Sequence, residues 1–290
     1  MPNAVGFVDN SAGLAHYAML QVLRDFASAN GWQVLRYNTS IANRELILKG
    51  TGLSGAEEIF VGFRTYQDAS NDYYNLVAAV FTGYVAGNTF DTQPGVCLSG
   101  VPAHNNRIDY WLSVNGQRIA FALKVGTPVY MSAYVGKFLP YGTPGQYPYP
   151  VVCAGMLNGV PGTRFSDPGI SMPYKGFRYA SPNYTNLNMR FVDGSWRNPY
   201  SYPWSGDPNW IAAPGNTEWR SRDTGGNYPL VPVLLRDDAN LFGELDGIFF
   251  ISGFNNAVEN TTVVGGVTHV VIEDAYRTGF IDYYALRLDQ

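Results

Sequence analysis

Charge is the scarcest property of this 290-residue chain. Asp, Glu, Lys and Arg make up 14% of it, against roughly a quarter of an ordinary soluble domain. The 19 Lys and Arg form no run and are outnumbered by 23 Asp and Glu, giving a formal net charge of -4. A nucleic-acid surface needs clustered positive charge, so no DNA or RNA partner is expected. Cysteine is nearly missing. Cys97 and Cys153 are too few and too far apart for a disulfide framework, and two buried or partly buried thiols are expected. Long apolar runs are missing as well. The most apolar stretch, Leu76 to Ala86, is broken by Thr82, Gly83 and Tyr84 and falls short of the ~20 residues a spanning helix needs. The first ten residues lack a basic segment followed by an apolar one, so no signal peptide is read. A soluble chain made in the cytosol is expected, with no membrane partner.

Chemical motifs are also scarce. The histidines His16, His104 and His269 stand in no H-x-x-x-H, H-E-x-x-H or Cys/His spacing, so no metal site and no cofactor are expected. Asp237, Asp238 and Asn240 offer oxygen ligands suited to calcium, but they lack the 12-residue loop pattern, and a turn before a strand explains them equally well. No G-x-S-x-G elbow or phosphate-binding P-loop is present. Gly50-Thr51-Gly52-Leu53-Ser54-Gly55 matches G-x-G-x-x-G literally. That fingerprint requires a helix to follow, whereas Ala56 to Val61 heads into strand-like sequence, so a glycine-rich turn is read here. The expectation is a protein that is not an enzyme.

What the chain does have is aromatic residues: 21 Tyr, 16 Phe and 6 Trp, 15% in all. A large chain with few charges and many tyrosines hides part of its surface against neighbours. This favours an assembly component, although secreted enzymes and sugar-binding modules share the composition. One helix is predicted over residues 11–30. Ser11 would cap it, a stripe from Leu14 to Phe26 would pack on the core, and Asn30-Gly31 would end it. Strands are predicted at Trp32–Tyr37, Arg44–Lys49, Glu58–Tyr66, Tyr73–Tyr84 and Pro128–Phe138. Alternation on both sides of Asn115-Gly116 predicts a hairpin closed by a type I′ turn with positive φ. Near the C-terminus, Gly247–Phe254 and Asp282–Leu288 read as strands, and Thr261–Val264 and Val267–Ile272 flank the turn signal Gly265-Gly266.

Between these units, residues 139–232 change character. Stretches such as LPYGTPGQYPYP and WRNPYSYPWSGDPNW repeat Pro and Gly without helical period. Proline gives nothing to a β-ladder, so little central strand is expected here, yet the segment is too aromatic for a disordered linker. Long ordered loops are predicted. Their aromatics, Tyr147, Tyr149, Trp196, Tyr202, Trp204, Trp210 and Trp219, have three readings: stacking on sugar rings, anchoring subunit interfaces, or pinning their own loops. The fold class that follows is mainly β, with antiparallel β-sandwich-like sheets, one N-terminal helix and long Pro/Gly/aromatic-rich loops. It reads as one β-rich domain spanning 1–290, with 139–232 a loop-rich insertion.

Several segments resemble virion structural proteins of tailed bacteriophages and prophages. They are Ile59–Tyr66 (IFVGFRTY), Arg107–Trp111 (RIDYW), Tyr134–Tyr141 running into Gln146–Pro150, Leu241–Gly247 (LFGELDG) and Tyr276–Gly279. The resemblance implies a particle component of the tail or baseplate, located in the virion. It would work as a homo-oligomer with other virion proteins as partners, and no catalytic residues carry over. A closed ring of such subunits uses head-to-tail contacts anchored by aromatics. Two alternatives stay open: a receptor protein that binds host-surface glycan, and a capsid decoration protein.

Overall fold

The computed structural model describes residues 2–126, 129–142, 151–158, 162, 164, 176–177, 186–204, 228–274, 280 and 282–288. They form one α-helix and three antiparallel sheets, so the mainly β, sandwich-like class holds.

The middle sheet orders its strands as β1 (Asn3–Val8), β7 (Ile108–Val114), β8 (Arg118–Gly126), β9 (Val129–Lys137), β11 (Val151–Ala154), β13 (Leu187–Arg190) and β14 (Trp196–Arg197). One outer sheet runs β12 (Leu157–Asn158), β6 (Cys97–Val101), β5 (Tyr73–Phe81), β4 (Ile59–Asp68), β3 (Glu45–Gly50), β2 (Gln33–Asn38). The other runs β15 (Tyr200–Tyr202), β16 (Val231–Arg236), β17 (Leu241–Phe250), β20 (Tyr283–Arg287), β19 (Val267–Glu273), β18 (Thr261–Val264), and β10 (Leu139–Pro140) adds to β17.

The inner strands of the middle sheet, β8, β9 and β11, are buried on both faces, and the sequence shows how. Along β8, Ile119, Phe121 and Leu123 enter the first core while Ala120 and Ala122 enter the second. Alternation by two sends successive side chains to opposite faces. Large residues fill the first interface. Alanines let Tyr134, Phe242 and Tyr284 fill the second. The first core joins the middle sheet to β3–β6 through Leu46, Val61, Phe63, Leu76 and Ala78. Where the two sheets part, α1 (Ala15–Ala29) fills the wedge. It touches β1 and β7 on one side and β2, β4 and β5 on the other, burying Met19, Leu20 and Leu23.

Several local expectations need correction. The helix starts at Ala15, with Leu14 at the N-cap and no side-chain cap. Ser11 instead turns back, its N–H and hydroxyl both donating to Asp9 Oδ1. The C-terminal end is as read, with Asn30 at the cap and Gly31 at φ 91°. The β7–β8 hairpin exists, but neither Asn115 nor Gly116 has positive φ. Asn115 Oδ1 accepts the N–H groups of Gln117 and Arg118 and closes the turn with its side chain. The β18–β19 hairpin follows the sequence signal, with Gly265 and Gly266 at φ 60° and 80°.

Within 139–232 the described residues are less loop-like than the sequence suggests. Val151 to Ala154 form an inner strand of the middle sheet, paired on both sides. Four apolar residues after a proline-rich run are too short to give a period. Their full burial between two cores keeps them in the sheet. The strand β1 is likewise absent from the sequence reading.

Candidate functional site

Two features outside the cores can meet a partner. The first is the edge where the middle sheet ends in β1 and its neighbour in β18. Ala4 and Val8 pack on the first core, which turns Asn3, Val5 and Phe7 to the opposite face. Val5 lies beside Trp111 of the second core, yet is 58% exposed, and Phe7 is 52% exposed. The Arg107 guanidinium stacks on Phe7 at 3.9 Å. On β18, Val263 lies beside Thr268, on the same face as core residue Val270, and is 65% exposed. The Asn3 amide donates to Leu288 O at 2.9 Å, and Leu288 N–H donates to Thr268 O. These links bring the two edges to one side of the molecule. There both inner sheet faces continue past the core into solvent.

The second feature is an open cleft of about 410 Å³ on the outer sheet, lined by Tyr202, Leu234, Arg236 and the turn from Asp237 to Leu241. The turn is built by Asp237. Its Oδ1 accepts Ala239 N–H at 2.9 Å and Asn240 N–H at 2.7 Å, and its carboxylate also holds the Asn240 amide. Burial pushes the Asp237 carboxyl up, but these hydrogen bonds outweigh it and hold the group below its ordinary value. The Asp237–Asn240 segment is therefore the turn between β16 and β17. Among the described residues no group of three or more His, Cys, Asp or Glu is placed to hold a metal ion.

The three predicted aromatic residues that are described, Trp196, Tyr202 and Trp204, scatter. Trp196 lies on β14 at the far edge of the middle sheet. Its Nε1 donates to Gly95 O at 3.1 Å and Arg190 covers its ring at 5.4 Å. Trp204 packs on the second core, meeting Phe250 edge-on at 5.8 Å. Both rings are half-buried and engaged by their own chain. Of the described three, Tyr202 lines the cleft. Tyr147, Tyr149, Trp210 and Trp219 lie outside the described residues.

Other motifs resolve into structure. Gly52 and Gly55 take φ 69° and 75° in a turn that leads into β4. Gly52 N–H donates to Gly116 O at 2.8 Å, and a Cβ on Gly116 would lie 2.8 Å from Gly52 O. These glycines thus let two turns approach closely. His16 is buried on α1 against Tyr17 and Tyr74. His104 Nδ1 accepts Asn106 N–H, and His269 is buried beside Phe249. The two cysteines are free thiols, as expected. The sequence reading missed Val5 and Phe7 because β1 itself was not recognised. It missed Arg236 because nothing in its local pattern separates it from a surface arginine.

No family model matches this chain, and no curated protein matches it.

Proposed function

We propose that this chain is a structural subunit of a tailed-phage particle, built as an oligomer into the tail or baseplate. Its neighbours join it through the β1 and β18 edges. The observation that carries this reading is the exposure of Val5, Phe7 and Val263 on strands whose outer backbone groups, among the described residues, have no strand beside them. An open strand edge bearing apolar side chains is a template for a further strand, and a free-standing protein usually blunts it with charge or proline. The low charge of the whole chain and the resemblance of its segments to virion proteins support the same reading. A capsid decoration role would use the same edges against a different neighbour.

Cryo-electron microscopy of the particle tests it. Density for this chain is expected at symmetric positions in the tail or baseplate, with β1 or β18 lying against a neighbouring chain. Density only at the periphery, with both edges in solvent, would count against it.

A further inference from the structure

We infer that the cleft between β15 and the β16–β17 turn is a binding site for a saccharide ring, with Tyr202 as its stacking wall and Arg236 and Asp238 as its hydroxyl ligands. The inference does not depend on the assembly reading, since the cleft lies on the outer face of its sheet and away from the β1 and β18 edges.

Strand register builds the site. Tyr202 lies beside Leu234, and Tyr200 beside Arg236. Val233 and Leu235 point into the second core, so Leu234 and Arg236 point outward with their cross-strand tyrosines. The cleft is therefore floored by a tyrosine and a leucine, with Leu241 exposed at its rim. Among the described residues, two of its charged groups keep unused hydrogen-bonding capacity. Arg236 Nε donates to Asp237 O at 3.1 Å, and the guanidinium lies 5.8 Å from the Tyr200 ring centroid. Among the described residues its two terminal nitrogens meet no hydrogen-bond acceptor. Asp238 is exposed at the same cleft, and among the described residues it meets neither a donor nor a cation.

A guanidinium and a carboxylate that share one cleft without pairing present donors and acceptors together. A ligand that satisfies both must carry both functions. Neighbouring ring hydroxyls do so, because each hydroxyl donates once and accepts twice. The C–H face of a pyranose needs an apolar wall with a polar rim, which Tyr202 and Leu234 supply. A site open to solvent on one side suits a residue within a longer polysaccharide better than an enclosed small molecule.

Saturation-transfer NMR on the full chain tests this, with galactose, N-acetylglucosamine and glucuronate each at millimolar concentration and diglycine as the zwitterionic control. Transfer to at least one sugar is expected. Asp238→Ala should weaken that binding roughly tenfold, the cost of losing a charged hydrogen-bond acceptor. Asp238 is an exposed turn residue, so an unchanged circular-dichroism melt should accompany the loss. Tyr202→Ala should abolish transfer, and Tyr202→Phe should keep it, because the ring face carries the stacking. Three results would each overturn the inference: no transfer from any sugar, wild-type affinity in Asp238→Ala, or binding of diglycine in place of sugar.

Discussion

Arg118 and Asp246 meet across the second interface with Nε 3.5 Å from Oδ2, and both side chains are cut off from water. Arg118 comes from β8 of the middle sheet and Asp246 from β17 of the outer one, so this pair fastens two layers. Its surroundings are polar in detail. Arg118 Nη1 donates to Ser113 O and Oγ at 2.8 and 2.9 Å. Asp246 Oδ2 accepts the amides of Asn115 at 2.7 Å and Gln117 at 3.0 Å. The Asp246 N–H donates to the Tyr134 hydroxyl. The same β7–β8 turn that Asn115 closes thus also positions the carboxylate.

Removing one member of such a pair strands the other charge. Asp246→Ala is expected to destabilise the fold by about 3–5 kcal/mol, read by urea denaturation. Gly247→Ala should also destabilise it, by more than about 1 kcal/mol. Gly247 sits at φ 78°, and a Cβ there would lie 2.4 Å from Arg118 Nη2. Unchanged midpoints for both variants would mean that the two layers are not held together here.

Acid should weaken the helix side of the first core. Burial, with Arg44 nearby, pushes His16 down to about 3, whereas the unfolded chain binds this proton near pH 6.5. A depressed folded value means that the contribution is complete above about pH 6.5 and is lost as pH falls toward 3. At pH 5 the loss is about 2 kcal/mol. Urea melts at pH 7 and pH 5 should show it. His16→Phe should flatten the difference, because the phenyl ring keeps the contacts with Tyr17 and Tyr74 and takes no proton.

The two cysteines should react unequally. Burial pushes the Cys153 thiol up, and its hydrogen bond with Cys97 adds to the shift. The thiolate is the reactive form, so Cys153 should stay silent to a disulfide-exchange reagent at pH 8 in the native protein. Two thiols per chain should be released once guanidinium unfolds it. Fast native reaction at Cys153 would mean that the interface between the middle sheet and β6 opens readily.

The elements that could be read from sequence are those whose signal is local. The β18–β19 hairpin was visible because two glycines separate two apolar runs, and α1 because its stripe repeats over many residues. β1 was hidden for a packing reason. Its sequence, NAVGFV, is short and contains Gly6, where a Cβ would lie 2.8 Å from the Tyr110 hydroxyl oxygen. The glycine is there for a neighbour more than a hundred positions away. Ser11 looked like a helix cap, but Asp9 captures it. Arg118 opens β8, and nothing near it in sequence announces Asp246, 128 positions later. The three layers were hidden for the same reason. A strand covered on both faces, such as β8, differs from a half-exposed one only in having Ala where a polar residue would stand. The cleft was half visible: Tyr202 and the Asp237–Asn240 turn stood out separately, and only the pairing of β15 with β16 brings them together.

Multi-angle light scattering over a concentration series tests most directly whether this chain assembles through its open edges. The wild-type chain is expected to show a mass that is a multiple of 31.9 kDa and that grows with concentration. Phe7→Glu and Val263→Glu, at two exposed positions with no core to disturb, should return it to a single chain. A steady 31.9 kDa at every concentration, or assembly that both variants leave intact, would contradict it.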